Sequence, residues 1–134
     1  MSDPDLTALA HQQMPLTEML GLEVDSAGPD EAIARGKWKQ GYCTAAGALH
    51  GGYLMALADS VGALCAFYNL PEGAATSTIE SKTNFFRAVR SGEVTFRATP
   101  VHVGRSVIVV QTDATDEEGK LVTRTTQTQA VLSG

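Results

Sequence analysis

Between Leu49 and Leu70 the chain reads LHGGYLMALADSVGALCAFYNL, and Asp59 is the one formal charge in that stretch. An ionised carboxylate among apolar residues is costly unless it is paired or has a task. Its chemical options include activating a water or attacking a carbonyl carbon directly. The same segment opens with Gly51 and Gly52. At a helix start the backbone N–H groups are free and carry the positive end of the macrodipole, and glycines let a ligand oxygen approach without meeting a Cβ. Such donors stabilise the oxyanion that forms in acyl transfer. On the face of Asp59 stand Gly52, Ala56 and Ala63, at i−7, i−3 and i+4, all small. They leave space beside the carboxylate or allow another backbone to come close.

Asp59 lies about two turns beyond the glycines, ~10 Å along a helix axis. Both groups cannot hold one carbonyl unless another chain intervenes. A two-fold dimer would set the glycine turn of one subunit against the aspartate of its partner. Each piece alone has a plainer reading: a turn device for the glycines, a buried structural carboxylate for Asp59, a capping residue for His50. Their coincidence, with small residues framing the carboxylate, favours a site. His11 and His102 fall at surface positions and carry no signal.

These groups need a scaffold. The segment has apolar or small residues on nearly every face, which predicts a helix buried on all sides, starting near Gly51 or Gly52 and ending near Asn69, before Pro71. Ahead of it, Asp5 to Gln13 suits a short amphipathic helix ended by Pro15. A strand from Gly21 to Ala27 turns at Gly28-Pro29-Asp30 and returns as Ala32 to Lys39. GYCTAAGALHGG, lacking either period, reads as an ordered loop feeding the helix. Strand character follows at Thr76–Phe86, Glu93–Val103, Arg105–Asp116 and Leu121–Leu132, with hairpin tips at Gly104 and Asp116–Gly119. One long buried helix followed by long antiparallel strands predicts an α+β fold, a sheet curled around the helix. The 134 residues form one domain, with residues 1–19 as an N-terminal extension.

A net charge of −5 and a pI near 5.0 argue against non-specific binding to nucleic acid or to anionic membrane. Lys82, Arg87, Arg90 and Arg105 still offer a local patch for a small anion. Asp59, Ser60, Asn69 and several glycines count against a membrane span, and no secretory leader pattern opens the chain. Cys43 and Cys65 give neither a metal spacing nor a disulfide framework, which fits a reducing cytoplasm. Ala58-Asp59-Ser60-Val61-Gly62 lacks the first glycine of G-x-S-x-G and places its Ser inside a helix, which disfavours a serine hydrolase. P-loop, dinucleotide and H-E-x-x-H patterns are missing, and no metal or cofactor is implied.

Gly47-Ala48-Leu49-His50-Gly51-Gly52, with Asp59 nine residues after the His, resembles the hotdog-fold acyl-CoA thioesterases of the phenylacetate-pathway (PaaI-type) and 4-hydroxybenzoyl-CoA group. The likeness runs from about Leu20 to Leu132. It includes Asn84-Phe85-Phe86-Arg87-Ala88-Val89 and Val103-Gly104-Arg105-Ser106. The resemblance implies a long central helix wrapped by a curved antiparallel sheet, homodimers with shared active sites, and commonly pairing into homotetramers. Carried over, Asp59 is the nucleophile or general base, Gly51 N–H polarises the thioester carbonyl, and His50 supports that turn. Ser77 matches a hydroxyl near the attacking water. Arg87 and Arg105 would meet CoA phosphates, with Gly104 and Ser106 shaping the hairpin. Thr44 stands where many members have Asn or Gln, Ala63 replaces a Thr of one branch, and Ala88 replaces a Pro.

The expected activity is hydrolysis of an acyl-CoA, with an aromatic or medium-chain acyl group compatible with Tyr53, Leu54, Phe67, Tyr68 and Phe85. The alternative is a non-catalytic acyl-CoA-binding or sensing protein, which Thr44 and Ala63 would allow. A hotdog hydratase or dehydratase is a third option, without a separate His-plus-acid pair to support it.

Overall fold

Asp3 caps the first helix, α1 (Pro4–Gln13): its carboxylate accepts the N–H groups of Asp5 and Leu6, and proline follows where no N–H is needed. Pro15, expected as a stop, is also the first residue of a second short helix, α2 (Pro15–Met19), which the sequence does not reveal. The chain then forms β1 (Glu23–Ala27) and β2 (Ala32–Lys37). The small-residue loop contains one 3-10 turn, Gln40–Tyr42, and an isolated bridge between Cys43 and Leu49. The central helix, α3, runs Gly51–Phe67. After it come β3 (Ala75–Phe85), β4 (Glu93–Val103), β5 (Val107–Thr115) and β6 (Leu121–Leu132). This computed structural model describes residues 1–133, and Gly134 lies outside the described residues.

The strands form one six-stranded antiparallel sheet in the order β1-β2-β4-β5-β6-β3. β3 follows the helix in sequence yet lies at the far edge, so the helix crosses the sheet before the chain turns back. The α+β architecture matches the expectation, and β4 and β6 keep their expected bounds. The other elements shift by one or two residues at their ends. α3 stops at Phe67 because Asn69 takes over its last turn, its Nδ2 donating to the carbonyls of Cys65 and Pro29 at 2.9 Å.

The inner face of α3, carrying Leu57, Ala58, Val61 and Cys65, joins Val94, Phe96, Ala98, Ile108 and Val110 from the central strands in one core. Close approach depends on Gly36 of β2. A Cβ there would meet Leu57 Cδ1 at 2.8 Å and the Tyr53 hydroxyl more closely still. One expectation needs correction: within the chain, α3 is not covered on all sides. Met55 is 37% and Phe67 56% exposed, because a single curved sheet reaches only one side of a helix. No helix among the described residues is long and apolar enough to cross a membrane.

Leu57 is fully buried against the sheet, so Leu57→Ala should destabilise the protein by about 2–5 kcal/mol through lost burial and the cavity left behind. Urea denaturation of wild type and variant measures this. An unchanged midpoint would contradict the packing described.

Candidate active site

The glycine turn is built by His50, the N-cap of α3, with extended backbone. Its Nδ1 accepts the Gly52 N–H at 2.7 Å. An accepting Nδ1 carries no proton, so a neutral His50 holds its proton on Nε2. His50 is tied in turn by its own N–H to the Tyr42 carbonyl at 2.9 Å. Of the two glycine amides, Gly52's is therefore consumed, whereas Gly51's has no acceptor among the described residues. The Phe85 ring lies over Gly51, where a Cβ would stand 3.1 Å from Cε1. The free donor sits in the first turn of a helix, where developing negative charge is best stabilised.

Asp59 is half-buried on the flank of α3 that faces β3 and β6. Gln127 Nε2 donates to its Oδ1 at 3.2 Å and to its backbone carbonyl at 3.4 Å. Thr78 Oγ1 donates to the same Oδ1 at 3.4 Å. Behind Thr78, Gln129 Nε2 donates to Thr78 Oγ1 at 2.9 Å, and the single hydroxyl hydrogen of Thr76 is shared between the Ala130 carbonyl at 2.8 Å and Gln129 Oε1 at 3.0 Å. Oδ2 receives no hydrogen bond among the described residues. The carboxylate is thus held by one oxygen and open at the other.

Ser77, expected near the attacking water, is not the hydroxyl that meets Asp59 within the chain; Thr78 is. Strand alternation explains the change. Ser77 pairs with Ala130 on the outer face, and Thr78 pairs with Gln129, whose buried side chain points to the helix. Ser60, beside Asp59, spends its hydroxyl on the Ala56 carbonyl at 2.8 Å and is 7% exposed, which removes it as a nucleophile. Burial pushes the Cys65 thiol up to about 11, helped by the charges of Asp30 and Glu31, so it is no thiolate at neutral pH.

Thr44 lies in the loop leading to His50, and its Oγ1 accepts the Ala46 N–H at 3.4 Å. The groups expected to meet CoA divide between two ends of the sheet. Arg87 follows β3 at the Gly51 end, where Phe86 N–H donates to the Val122 carbonyl. Gly104, Arg105 and Ser106 form the β4–β5 tip, where Val107 pairs with Ala130 and the Ser106 carbonyl accepts Val131 N–H. Eight residues of β6 separate these two points, ~26 Å of strand. Lys82, Arg87, Arg90 and Arg105 therefore form no single patch in one chain.

A cleft of about 340 Å³ lies between α2 and the start of α3, walled by Leu16, Leu20, Tyr42, Tyr53 and Ala56, with His50 at its rim. Tyr42 and Tyr53 stack there with ring centroids 4.7 Å apart. Of the aromatic residues considered for an acyl pocket, Tyr53 lines this cleft, while Phe67 and Phe85 are largely exposed. Sequence reasoning missed the α2 wall, Thr78 and the two glutamines. The signal for the last was the alternation in Thr123-Arg124-Thr125-Thr126-Gln127-Thr128-Gln129. With polar residues in both phases, it does not show which set turns inward.

Residues 46–123 match the thioesterase superfamily. A thioesterase from Haemophilus influenzae has a similar structure, with a TM-score of 0.88 and 34% identity, over 96% of this chain and 88% of that one. The phenylacetic acid degradation protein PaaI from Thermus thermophilus, solved as a point mutant, is similar at TM-score 0.81 and 33% identity, over 88% of this chain and 99% of its own. The 1,4-dihydroxy-2-naphthoyl-CoA hydrolase of Listeria monocytogenes is 28% identical over 109 residues, 81% of this chain and 89% of its own length. With a long helix held against an antiparallel sheet, a free glycine amide at its start and an acidic residue along its flank, the chain belongs to the thioesterase superfamily and is a hotdog-fold thioester hydrolase.

Proposed function

We propose that this hydrolase cleaves acyl-CoA thioesters with an aryl or medium-chain acyl group, in a two-fold dimer whose sites each combine Gly51 of one subunit with Asp59 of the other. The observation that carries this is the opposed placement of the two groups along β3. Gly51 lies under Phe85 at the end of the strand, and Asp59 lies against Thr78 near its start. β3 is an edge strand of eleven residues with no proline, exposing Ile79 and Phe85. Such an edge is a template for pairing. Antiparallel two-fold pairing of β3 with its copy brings the Gly51 end of one chain to the Asp59 end of the other. It also brings Arg87 of one chain and Arg105 of the other to the same site, where both serve the phosphates of one CoA. The naphthoyl-CoA hydrolase among the relatives supports the substrate class, and the cleft walled by Leu16, Leu20 and stacked tyrosines supports an apolar, flat acyl group.

In this site the thioester carbonyl oxygen accepts the Gly51 N–H, and His50 keeps the turn rigid by binding Gly52 N–H. Asp59 either removes a proton from water as its oxygen attacks the carbonyl carbon, or attacks and forms an anhydride that water then cleaves. In both courses the acyl C–S bond breaks, CoA leaves as a thiolate and takes up the proton released from water, and the carboxylic acid is the second product. Thr44, on the glycine side, contributes at most a hydroxyl to orient that water, since an amide's reach is missing.

Thiol release from a panel of aryl- and alkyl-CoAs tests the activity, and turnover of none of them would overturn it. Asp59→Ala should lower kcat by about 10²–10⁴-fold with CoA binding retained; full activity would remove Asp59 from the mechanism. Gly51→Pro deletes the free donor at a first-turn position that tolerates proline, after a residue already extended. It should cost about 10²–10³-fold in kcat. The shared site has its own test: co-expressed Asp59→Ala and Gly51→Pro chains assemble at random, and each mixed dimer holds one intact site. About a quarter of wild-type activity should return. Recovery no greater than the sum of the separate variants would place both groups in one chain's site.

A further inference from the structure

We infer that Gln127 is a positioning residue that holds Asp59 by Oδ1 and thereby presents Oδ2 to the thioester, an inference resting on the assignment of Asp59 as the reacting carboxylate. Gln127 is 1% exposed and sits on the helix-facing side of β6. Its orientation is fixed by chemistry: an ionised carboxylate only accepts, so the amide must turn its NH₂ toward Asp59 and its carbonyl away. The same constraint makes Thr78 donate to Oδ1, and Gln129 supplies the hydrogen that Thr78 accepts. Gln127 and Thr78 thus both donate to Oδ1, with Gln129 donating to Thr78 from behind.

Two features set this arrangement apart from ordinary packing. The helix gives up a side chain where the amide lies: a Cβ on Gly62 would stand 2.7 Å from Gln127 Cδ and closer still to Oε1. A glycine inside a helix weakens it. Moreover, Gln127 Oε1 is buried with no donor among the described residues, and burying an unpaired acceptor is unfavourable. Methionine or leucine would fill a similar volume without burying an unpaired acceptor. What only the amide supplies is the pair of hydrogens, one directed to the Asp59 carboxylate and to the carbonyl of the same residue. Without them Asp59 keeps one 3.4 Å bond from Thr78, and the carboxylate can rotate away from its attacking geometry, a loss that falls on the chemical step.

Gln127→Met retains volume and removes the donor. On the panel thioester that wild type hydrolyses fastest, its kcat should fall by about 10–100-fold, the loss typical when an outer partner orienting a reacting group is removed. KM, and the Kd for the matching non-hydrolysable CoA thioether, should stay within about threefold. Gln127→Glu, equal in shape but lacking the NH₂, should be impaired at least as much. A merely structural role predicts parallel losses of turnover and thioether binding, and that result would overturn the proposal. So would wild-type kcat in either variant. If Asp59→Ala is inactive while Gln127→Met is unimpaired, only the role of Gln127 falls; a fully active Asp59→Ala removes the assignment beneath it.

Discussion

A carboxylate midway along an apolar helix is tolerable only where the opposing surface supplies donors, and in this protein the β3–β6 end of the sheet does so. The inward faces of the central strands are apolar, with Val94, Phe96, Ala98, Ile108 and Val110 buried against the helix. On β6, beyond Val122, the buried positions become Thr123, Thr125, Gln127 and Gln129. The same helix is thus cemented by burial along one flank and met by amides and hydroxyls along the next. Asp59 falls at that boundary, half-buried, with the sheet on one side and the uncovered helix face on the other. A rotation of the helix inward would bury it in the apolar core without a partner, at a cost no surface contact could offset. A rotation outward would lose its two donors to solvent.

The direction of the helix imposes a second constraint. α3 runs opposite to β3, so its positively polarised first turn lies beside the strand's end and its carboxylate beside the strand's beginning. Within one chain the free amide of Gly51 and the open oxygen of Asp59 are spread along the edge, and so are Arg87 and the Gly104–Ser106 hairpin. Each end holds one chemical group and one cation. In the proposed dimer, antiparallel pairing of β3 with its copy completes both sites at once and closes the assembly, whereas a head-to-tail contact between unlike ends would leave it open.

Much of this was legible in the sequence because hydrophobic period and turn chemistry act locally. β4 and β6 keep their expected bounds, since Gly104 and the Asp116–Gly119 turn mark where strands reverse, and α3 begins at Gly51 because His50 can cap it. What was hidden depends on phase and on contacts distant in sequence. Pro15 stops one helix and starts another, and proline's local preference fits both. Ser77 and Thr78 differ by one residue and so by the face of the sheet, which only pairing with β6 decides. Gln127 lies 68 residues beyond Asp59, in a run where every residue from Thr123 to Gln129 is polar, and no periodicity ranks one such face over the other. The uncovered outer face of α3 has a different origin: an apolar helix surface signals burial, and composition does not say which chain provides the cover.

The two halves of the site are made rigid by different means, and this bears on Thr44. On the glycine side the proposed oxyanion donor is a backbone N–H, fixed by the helix itself and by a histidine cap whose ring is held on Gly52. Little side-chain entropy is lost in using it. On the acidic side the proposed reacting group is a carboxylate with two torsions to restrain, and its hydrogen bonds come from Gln127 and from Thr78, which Gln129 backs. A loop amide at position 44 would add a third means, orienting water or carbonyl from the glycine side. In this chain the Thr44 hydroxyl accepts from its own loop's Ala46 N–H. In the proposed mechanism orientation then rests more on the sheet: with less to steer the water from the loop, the direction in which Asp59 presents its open oxygen matters more, and the buried glutamine behind it is the group placed to set that direction.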